Sequence, residues 1–280
     1  MSAGVVADES LLLVNHVPLR EGPGGSPLID SQTARGIAQW CRHFDRVTFC
    51  GVVDGTERAG SSSSTWVDTR EIERSERCKV VALPRAYRAG SMLRETRSAI
   101  RVLWPAIPRH AHLCFSFGGV IGDWPAIAAL GAIRQRRTYV AWLDRVESDI
   151  LLNKMTGAPM PLRLAVGALV PIVERYNKFL LGRSSVALLR GGDTFEHYRG
   201  ASSNPFRIDN SHLTADDMIE PEETTQKVAR VMGGKPIEIL YVGRANLMKG
   251  PLDWLDVLAR LDQNGIPFTA KWIGDGPMLG

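Results

Sequence analysis

Short, nearly continuous apolar runs alternate with helix-like segments through the first two hundred residues of the chain. Such runs are typical of the strands of a parallel sheet that is covered by helices on both faces. The predicted strands lie at residues 11–14, 47–53, 79–83, 112–117 and 139–143. The predicted helices lie at residues 29–44, 91–104 and 125–134. The pattern therefore predicts an α/β fold for residues 1–200, a doubly wound, Rossmann-like domain.

The regular alternation of predicted strands and helices is interrupted beyond this domain. Residues 201–235 are polar and acidic and contain prolines, which is typical of a linker region. A strand is predicted at residues 237–242, a helix at 251–261 and a second strand at 268–273. Residues 236–280 thus form one βαβ unit, which we interpret as the start of a second Rossmann-like domain. A length of 280 residues also fits two domains better than one.

The composition is that of an ordinary globular protein, because hydrophobic residues make up 44% and charged residues 23% of the chain. The net charge of +4 and the pI near 9.0 suit anionic partners in general, such as phosphorylated molecules, an acidic membrane surface or nucleic acid. The four cysteines have no CxxC spacing, which disfavours a zinc cluster or a disulfide framework. The six histidines show no HxxxH spacing, so no metal site is predicted.

The localisation that the sequence predicts is cytoplasmic. No basic region precedes the first apolar run, so no signal peptide is expected. Residues 111–133 are long and apolar, but their glycines and Pro125 indicate a strand, a loop and a helix rather than a membrane span.

Two predicted helical regions carry basic side chains. An apolar stripe recurs at helical spacing over residues 162–182, where Pro171 predicts a kink or a helix start. The basic residues are Arg163, Arg175, Lys178 and Arg183 around this stripe, and Arg94, Arg97 and Arg101 on the other helix. The simpler interpretation is a solvated basic face on a core helix. The alternative is a peripheral surface that rests on anionic lipid at the inner face of the membrane.

The strongest local motif follows the strand at residues 237–242. Gly243-Arg244 comes directly after this strand, Lys249-Gly250 precedes the next helix, and Gly274-Asp275-Gly276 follows the next strand. Ligands of open α/β sheets bind at the carboxyl ends of strands, and a helix N-terminus there can receive a phosphate. Arginine can grip phosphate oxygens with two hydrogen bonds, and lysine adds a compact charge. The alternative is that the glycines form plain turns and that both cations are only solvated.

Residues 237–277 resemble the opening of the C-terminal domain of retaining GT-B glycosyltransferases of family 4 (glycosyl transferases group 1). The strand, the GR pair, the KG pair, the helix and the GDGP turn all occur in the order and spacing of that family. The resemblance implies a GT-B-like fold and transfer of a sugar from a nucleotide-diphosphate-sugar donor with retention. It implies that Arg244 and Lys249 hold the diphosphate and serve catalysis. The implied donor-binding residues are Gly243, Gly250, Gly274, Asp275 and Gly276.

The N-terminal part is similar to the same family in a weaker way. Gly24 and Gly25 lie in a glycine-rich loop that is expected straight after the first strand, where the family's loop approaches donor or acceptor. Asp144 ends a predicted strand and is an acceptor-side candidate, although it could equally cap the following segment. A surface turn is the alternative for the glycines.

The same resemblance implies the partners. The nucleotide-diphosphate sugar is a co-substrate, no other cofactor is expected, and the acceptor is a glycan or a lipid-linked molecule of polysaccharide biosynthesis. The family's acidic donor-sugar motif does not occur before Gly280, so we expect the chain to be truncated and inactive alone. A non-catalytic Rossmann-like module that binds anionic membrane or a ligand is the alternative function. No GxGxxG turn follows the first strand, and aromatic residues do not interleave with basic ones, which argues against dinucleotide and nucleic-acid binding.

Overall fold

The computed structural model describes residues 9–53, 65–86, 89–119, 123–155, 158–209 and 218–279. They divide into two compact units. The first unit extends to residue 209, and the second consists mainly of residues 218–279.

The first unit contains nine strands and six α-helices among its described residues. The strands are β1 (Ser10–Glu21), β2 (Pro27–Asp30), β3 (Arg46–Val53), β4 (Trp66–Asp68), β5 (Cys78–Leu83), β6 (His112–Ser116), β7 (Val140–Leu143), β8 (Val186–Arg190) and β9 (Pro205–Ile208). The helices are α1 (Ser31–His43), α2 (Ala89–Ala106), α3 (Trp124–Arg134), α4 (Glu147–Lys154), α5 (Met160–Arg183) and α6 (Gly191–Tyr198).

The sheet of the first unit is doubly wound, as the sequence predicts. Its parallel strands lie side by side in the order β5-β3-β1-β6-β7-β8-β9. Following the chain, β3 is added beside β1 and β5 beside β3. The chain then crosses back to the other side of β1, where β6 pairs with it. The strand order reverses between β1 and β6, and ligands of open α/β sheets bind at such a switch point.

Helices cover both faces of this sheet, because successive side chains of a strand point to opposite faces. Leu12 and Val14 of β1 belong to a core with residues of α2, α3 and α5, whereas Leu11 and Leu13 pack against α1. All four are nearly inaccessible to solvent. The continuous apolar run at residues 11–14 thus reflects burial on both sides, which is the basis of the prediction.

The glycine loop near residue 24 differs from the prediction. β1 does not end at Val14 but continues to Glu21, and β2 returns antiparallel to it. Gly24 and Gly25, both with positive φ, form the hairpin turn between these two strands. The prediction that the loop follows the first apolar run directly is wrong, because residues 15–21, a mixture of polar and apolar side chains, extend the strand.

Helix α5 is one continuous helix with Pro171 inside it, so it does not begin at the proline. Its second half is anchored, because Val173, Leu180 and Leu181 are buried. Most of its first half is exposed, including Leu162 of the predicted apolar stripe, while Val166 and Leu169 of that stripe are half-buried. The predicted stripe is therefore fully buried only in the second half of the helix. No helix among the described residues has the length and hydropathy that a membrane span requires.

The second unit contains α7 (Pro221–Met232), β10 (Ile237–Val242), α8 (Pro251–Gln263) and β11 (Phe268–Ile273). β10 and β11 pair in parallel and are joined through α8, which is the predicted βαβ unit. The ring of Tyr241 stacks on Trp272 with centroids 4.0 Å apart, and Trp254 packs edge-on against both. Helix α7 lies in the segment that the sequence analysis assigned to a linker.

Candidate functional site

The two turns that follow β10 and β11 are joined backbone to backbone. The amide of Gly243 donates a hydrogen bond to the carbonyl of Ile273 at 2.9 Å, and the amide of Ala245 donates to the carbonyl of Asp275 at 2.9 Å. The amide of Met278 then donates to the carbonyl of Ala245 at 3.1 Å. The sequence motifs around Gly243 and Gly274 are therefore brought together at one edge of the sheet, as the parallel βαβ arrangement requires.

The close contact between the turn after β10 and the turn after β11 requires glycine at two positions. A Cβ atom at Gly274 would lie 2.1 Å from the carbonyl oxygen of Gly243, and one at Gly276 would lie 2.2 Å from that of Ala245. Gly274 also has a φ of 135°, which other residues rarely adopt. Packing of one turn on the other thus accounts for both glycines, and a ligand role for them stays a prediction.

Arg244 and Lys249 lie on the segment between β10 and α8. A short 3-10 turn ends at Lys249, Gly250 adopts a left-handed conformation with a φ of 60°, and α8 begins at Pro251. The hydroxyl of Tyr241 donates to the carbonyl of Lys249 at 2.8 Å and so ties this segment to the strand. Both cationic side chains are exposed, and within the described part of the chain neither is held in an ion pair. They are available to an anionic ligand near the N-terminus of α8.

Asn246 is a residue of this segment that sequence reasoning missed. Its side-chain oxygen is buried and has no hydrogen-bond partner among the described residues. A buried polar atom without a partner is rare in folded proteins. Its position in the chain between Arg244 and Lys249 is the signal in the sequence that could have identified it.

A second group of polar residues lies at the switch point of the first unit. His16 is on β1 beyond the last pair of β1 and β6, and its Nδ1 atom is 3.3 Å from the carbonyl oxygen of Ser116. Asp123 precedes α3, and its carboxylate accepts hydrogen bonds from the amides of Ala126 at 2.9 Å and Gly118 at 3.0 Å. The sheet therefore positions an imidazole and a capping carboxylate at the same edge.

Asp123 interacts electrostatically with both His16 and Tyr176. Burial raises the pKa of Asp123 to about 6, while its amide hydrogen bonds and the charge of His16 oppose that rise. Burial, and secondarily the charge of Asp123, raise the pKa of Tyr176 to about 12. A buried carboxylate with a perturbed pKa beside a histidine at a ligand-binding edge is a candidate for acid–base chemistry.

Sequence reasoning missed this pair because His16 and Asp123 lie more than a hundred residues apart. Two weak signals were present. His16 follows the first apolar run, where a parallel strand presents its carboxyl end. Asp123 stands two residues before Pro125, which is the pattern of a helix N-cap followed by an early proline.

The remaining acceptor-side candidates occupy different places. Asp144 follows β7, where its carboxylate accepts a hydrogen bond from Trp142 Nε1 at 2.9 Å and lies 3.9 Å from Arg190 Nη1. It does not cap α4, whose N-cap residue is Val146. Asp144 and His16 both lie at the carboxyl edge of the sheet, on strands separated by β6. Gly24 and Gly25 lie instead in the β1–β2 hairpin turn.

A metal centre has no support in the described residues, which contain no group of three His, Cys, Asp or Glu side chains placed to hold an ion.

No protein-family model matches the chain, and no curated protein matches it in sequence. Solved structures do resemble it. A UDP-glucosyltransferase from Polygonum tinctorium that can glucosylate indoxyl is 12% identical with a TM-score of 0.41, over 94% of this chain and 71% of its own. A sucrose-phosphate synthase from Thermosynechococcus elongatus is 9% identical with a TM-score of 0.46, over 95% and 70%. A protein named LpCGTa, in complex with UDP, is 14% identical with a TM-score of 0.48, over 96% and 70%. A likeness at this level says nothing about chemistry, which has to come from the residues of this chain.

Proposed function

We propose that the protein is a glycosyltransferase that takes its sugar from a nucleotide-diphosphate donor bound by the second unit. The observation that carries this proposal is the exposed pair Arg244 and Lys249, placed on the segment between the joined glycine turns and the start of α8. A diphosphate needs positive charge at a site that the backbone can approach closely. This segment offers a bidentate guanidinium, an ammonium and a helix N-terminus together.

The same groups would act in the chemical step. Breaking the bond between sugar and diphosphate leaves negative charge on the departing oxygen while the sugar becomes oxocarbenium-like. Cations that are already in place when that charge develops stabilise the transition state more than the bound donor. Arg244 and Lys249 would supply this stabilisation.

The acceptor would bind the first unit, at the switch point of its sheet. His16, which lies at this edge with its Nδ1 atom near the carbonyl of Ser116, would act as the general base for an acceptor hydroxyl. Asp144, at the same edge of the sheet, is the further acceptor-side candidate.

Three finer points rest on the family resemblance alone and are part of the proposal. They are transfer with retention, a glycan or lipid-linked acceptor, and a role in polysaccharide biosynthesis. In a form of the protein that turns over, proton NMR of the newly formed anomeric centre reports the stereochemistry directly. A retained configuration supports the resemblance to family 4. An inverted configuration would contradict retention and indicate direct displacement of the diphosphate by the acceptor hydroxyl, with His16 again as its base.

Donor binding is tested by titrating the chain calorimetrically with UDP, GDP and ADP in turn. We expect one of these nucleotides to bind, and Arg244→Ala or Lys249→Ala to weaken its binding by roughly tenfold, since each removes a charge-assisted contact. Arg260→Ala and Lys235→Ala are matched controls, because both residues are exposed cations of the second unit away from this segment. Equal binding by all four variants would contradict the proposal.

A further inference from the structure

The first half of α5 presents a second apolar stripe to solvent, which consists of other residues than the predicted stripe described above. Met160, Leu164, Ala168 and Ile172 follow one another at intervals of four residues, so they lie on one side of the helix. All four are exposed, with 65%, 66% and 64% of the surface accessible for Met160, Leu164 and Ile172. A stripe of large apolar side chains that is left in water needs a partner surface.

The opposite side of the helix explains why the stripe faces outward. Val173, Asn177, Leu180 and Leu181 are the buried residues of α5, and helical geometry places them on the side away from the stripe. These residues fix the rotation of the whole helix. The outward direction of the apolar stripe is therefore determined by core packing in the second half of the helix.

Towards the C-terminal end of α5, the exposed residues on the same outward side are basic. Arg175, Lys178 and Arg183 are exposed there, and the guanidinium of Arg183 lies 5.5 Å from the centre of the exposed Phe179 ring. Arg163 adds an exposed cation to the apolar half. The exposed surface of α5 thus combines large apolar groups, an aromatic ring and positive charge.

Positive charge outnumbers negative charge on this helix. Glu174 is its sole acidic residue, and its carboxylate accepts hydrogen bonds from the hydroxyls of Ser148 and Tyr198 and lies 3.6 Å from the ammonium of Lys178. Lys178 is thus paired with this carboxylate, and the exposed arginines Arg163, Arg175 and Arg183 give the helix its excess of positive charge. A second copy of the same surface would bring like charges together, which disfavours self-association. An anionic surface is complementary to it.

We propose that the outer side of α5, from Met160 to Arg183, docks on an anionic lipid bilayer. The helix lies in the plane of the interface, with its apolar stripe at the boundary of headgroups and acyl chains and its cations among the lipid phosphates. It does not cross the bilayer, because the thirteen residues from Met160 to Ile172 span only about 20 Å of helix against roughly 30 Å of hydrocarbon. This docking is independent of the proposed sugar transfer.

The test is co-sedimentation of the whole chain with lipid vesicles. One set contains only phosphatidylcholine, and the other contains phosphatidylcholine and phosphatidylglycerol in equal amounts. The variant Met160→Ser/Leu164→Ser removes apolar groups, and Arg175→Glu reverses a charge. Met232→Ser, on exposed α7, and Arg35→Glu, on exposed α1, are the matched controls. All of these side chains are exposed, and circular dichroism checks that each variant folds.

The expected result is binding to the anionic vesicles that weakens with added salt and is absent with phosphatidylcholine alone. Both α5 variants should lower the bound fraction by roughly tenfold, whereas both controls bind like the unchanged chain. Failure of the unchanged chain to sediment with anionic vesicles would overturn the proposal. Equal binding by the α5 variants would overturn it as well. It would also be overturned if Met160→Ser/Leu164→Ser abolished self-association in ultracentrifugation without changing vesicle binding, since a second copy would then cover the stripe.

Discussion

Positions 274 and 276 require glycine because the backbone of the neighbouring turn fills the space that a Cβ atom would need. The nearest atoms are carbonyl oxygens, which cannot move aside as the end of a flexible side chain can. Gly276 is the cleaner case, since its φ is not positive and its clash with Ala245 is the single obstacle. At this scale the glycine motif is explained by packing within the protein before any ligand is considered.

Gly276→Ala should therefore loosen the second unit. We expect a loss of roughly 1–3 kcal/mol, as for other overpacked positions, because the two turns must separate. Hydrogen exchange followed by mass spectrometry would show faster exchange over β10 and β11. Gly36→Ala, in α1 with nothing within 4 Å of the added Cβ, should leave exchange unchanged or slower. Equal exchange in the Gly276→Ala variant and the unchanged chain would refute this account of the turns.

Asp123 allows a prediction about pH. Burial raises its pKa from 3.8 to about 6, so between these values the folded chain binds a proton that the unfolded chain releases. Stability therefore falls as the pH rises through this window and levels off above it. Asp123→Asn removes the ionisation. The difference in urea midpoint between the two proteins should therefore vary with pH between about pH 4 and about pH 6 and stay constant above about pH 6. Parallel midpoint curves would show that Asp123 is not buried as described.

Among the elements, α4, α5 and α6 are held together by one carboxylate. Glu174 of α5 accepts hydrogen bonds from Ser148 of α4 and Tyr198 of α6, and lies 3.0 Å from the His197 ring. Burial tends to raise the pKa of Glu174, but the hydrogen bonds from Ser148 and His197 outweigh it and hold the pKa below its usual value. This junction anchors the half of α5 that orients its exposed stripe.

Glu174→Ala should destabilise the first unit by roughly 1–3 kcal/mol, because two hydroxyl groups lose their acceptor where water reaches poorly. Urea unfolding measures the loss. Glu196→Ala is the control, since Glu196 is exposed and its partner within the described part of the chain is the exposed Arg199. That variant should stay within about 0.5 kcal/mol of the unchanged chain. A Glu174→Ala protein as stable as the control would show that the three helices are held by apolar contacts alone.

The elements that could be predicted are those whose sequence pattern reflects burial directly. The strands at residues 237–242 and 268–273 have the predicted boundaries, and α3 begins within one residue of its predicted start. The extension of β1 to Glu21 could not be predicted in this way. Its pairing with β2 depends on a hairpin between partly polar segments, for which the apolar pattern carries no signal.

The candidate sites were predictable to different degrees for the same reason. Arg244 and Lys249 lie on one short segment, so local spacing was enough to propose them together. His16 and Asp123 become neighbours only because β1 and β6 pair at the centre of the sheet. That pairing is a property of the strand order, which single-chain periodicity does not contain.

The two units of the molecule differ in how much apolar surface they bury. The first unit has a core on each side of its sheet, with Trp124, Phe115 and Leu12 inaccessible to solvent. Of the described residues in the second unit, Ala245 alone is buried. Since burial contributes roughly 25 cal/mol per Å² of apolar surface, the second unit should open well before the first.

Hydrogen exchange on the whole chain tests this difference together with donor binding. Amides of β10 and β11 should exchange faster than those of β6 and β7, because less buried surface opposes their opening. A nucleoside diphosphate at 100 times its dissociation constant should then slow exchange in the second unit by an amount equivalent to about 2.7 kcal/mol. Exchange of β6 and β7 should stay unchanged, since the ligand binds a unit whose opening does not depend on theirs. Slowing confined to the first unit would move the nucleotide site there. At the same nucleotide concentration the slowing in the Arg244→Ala variant should fall to about 1.4 kcal/mol, because its tenfold weaker binding leaves the ligand at only about 10 times its dissociation constant, while the difference between the units remains.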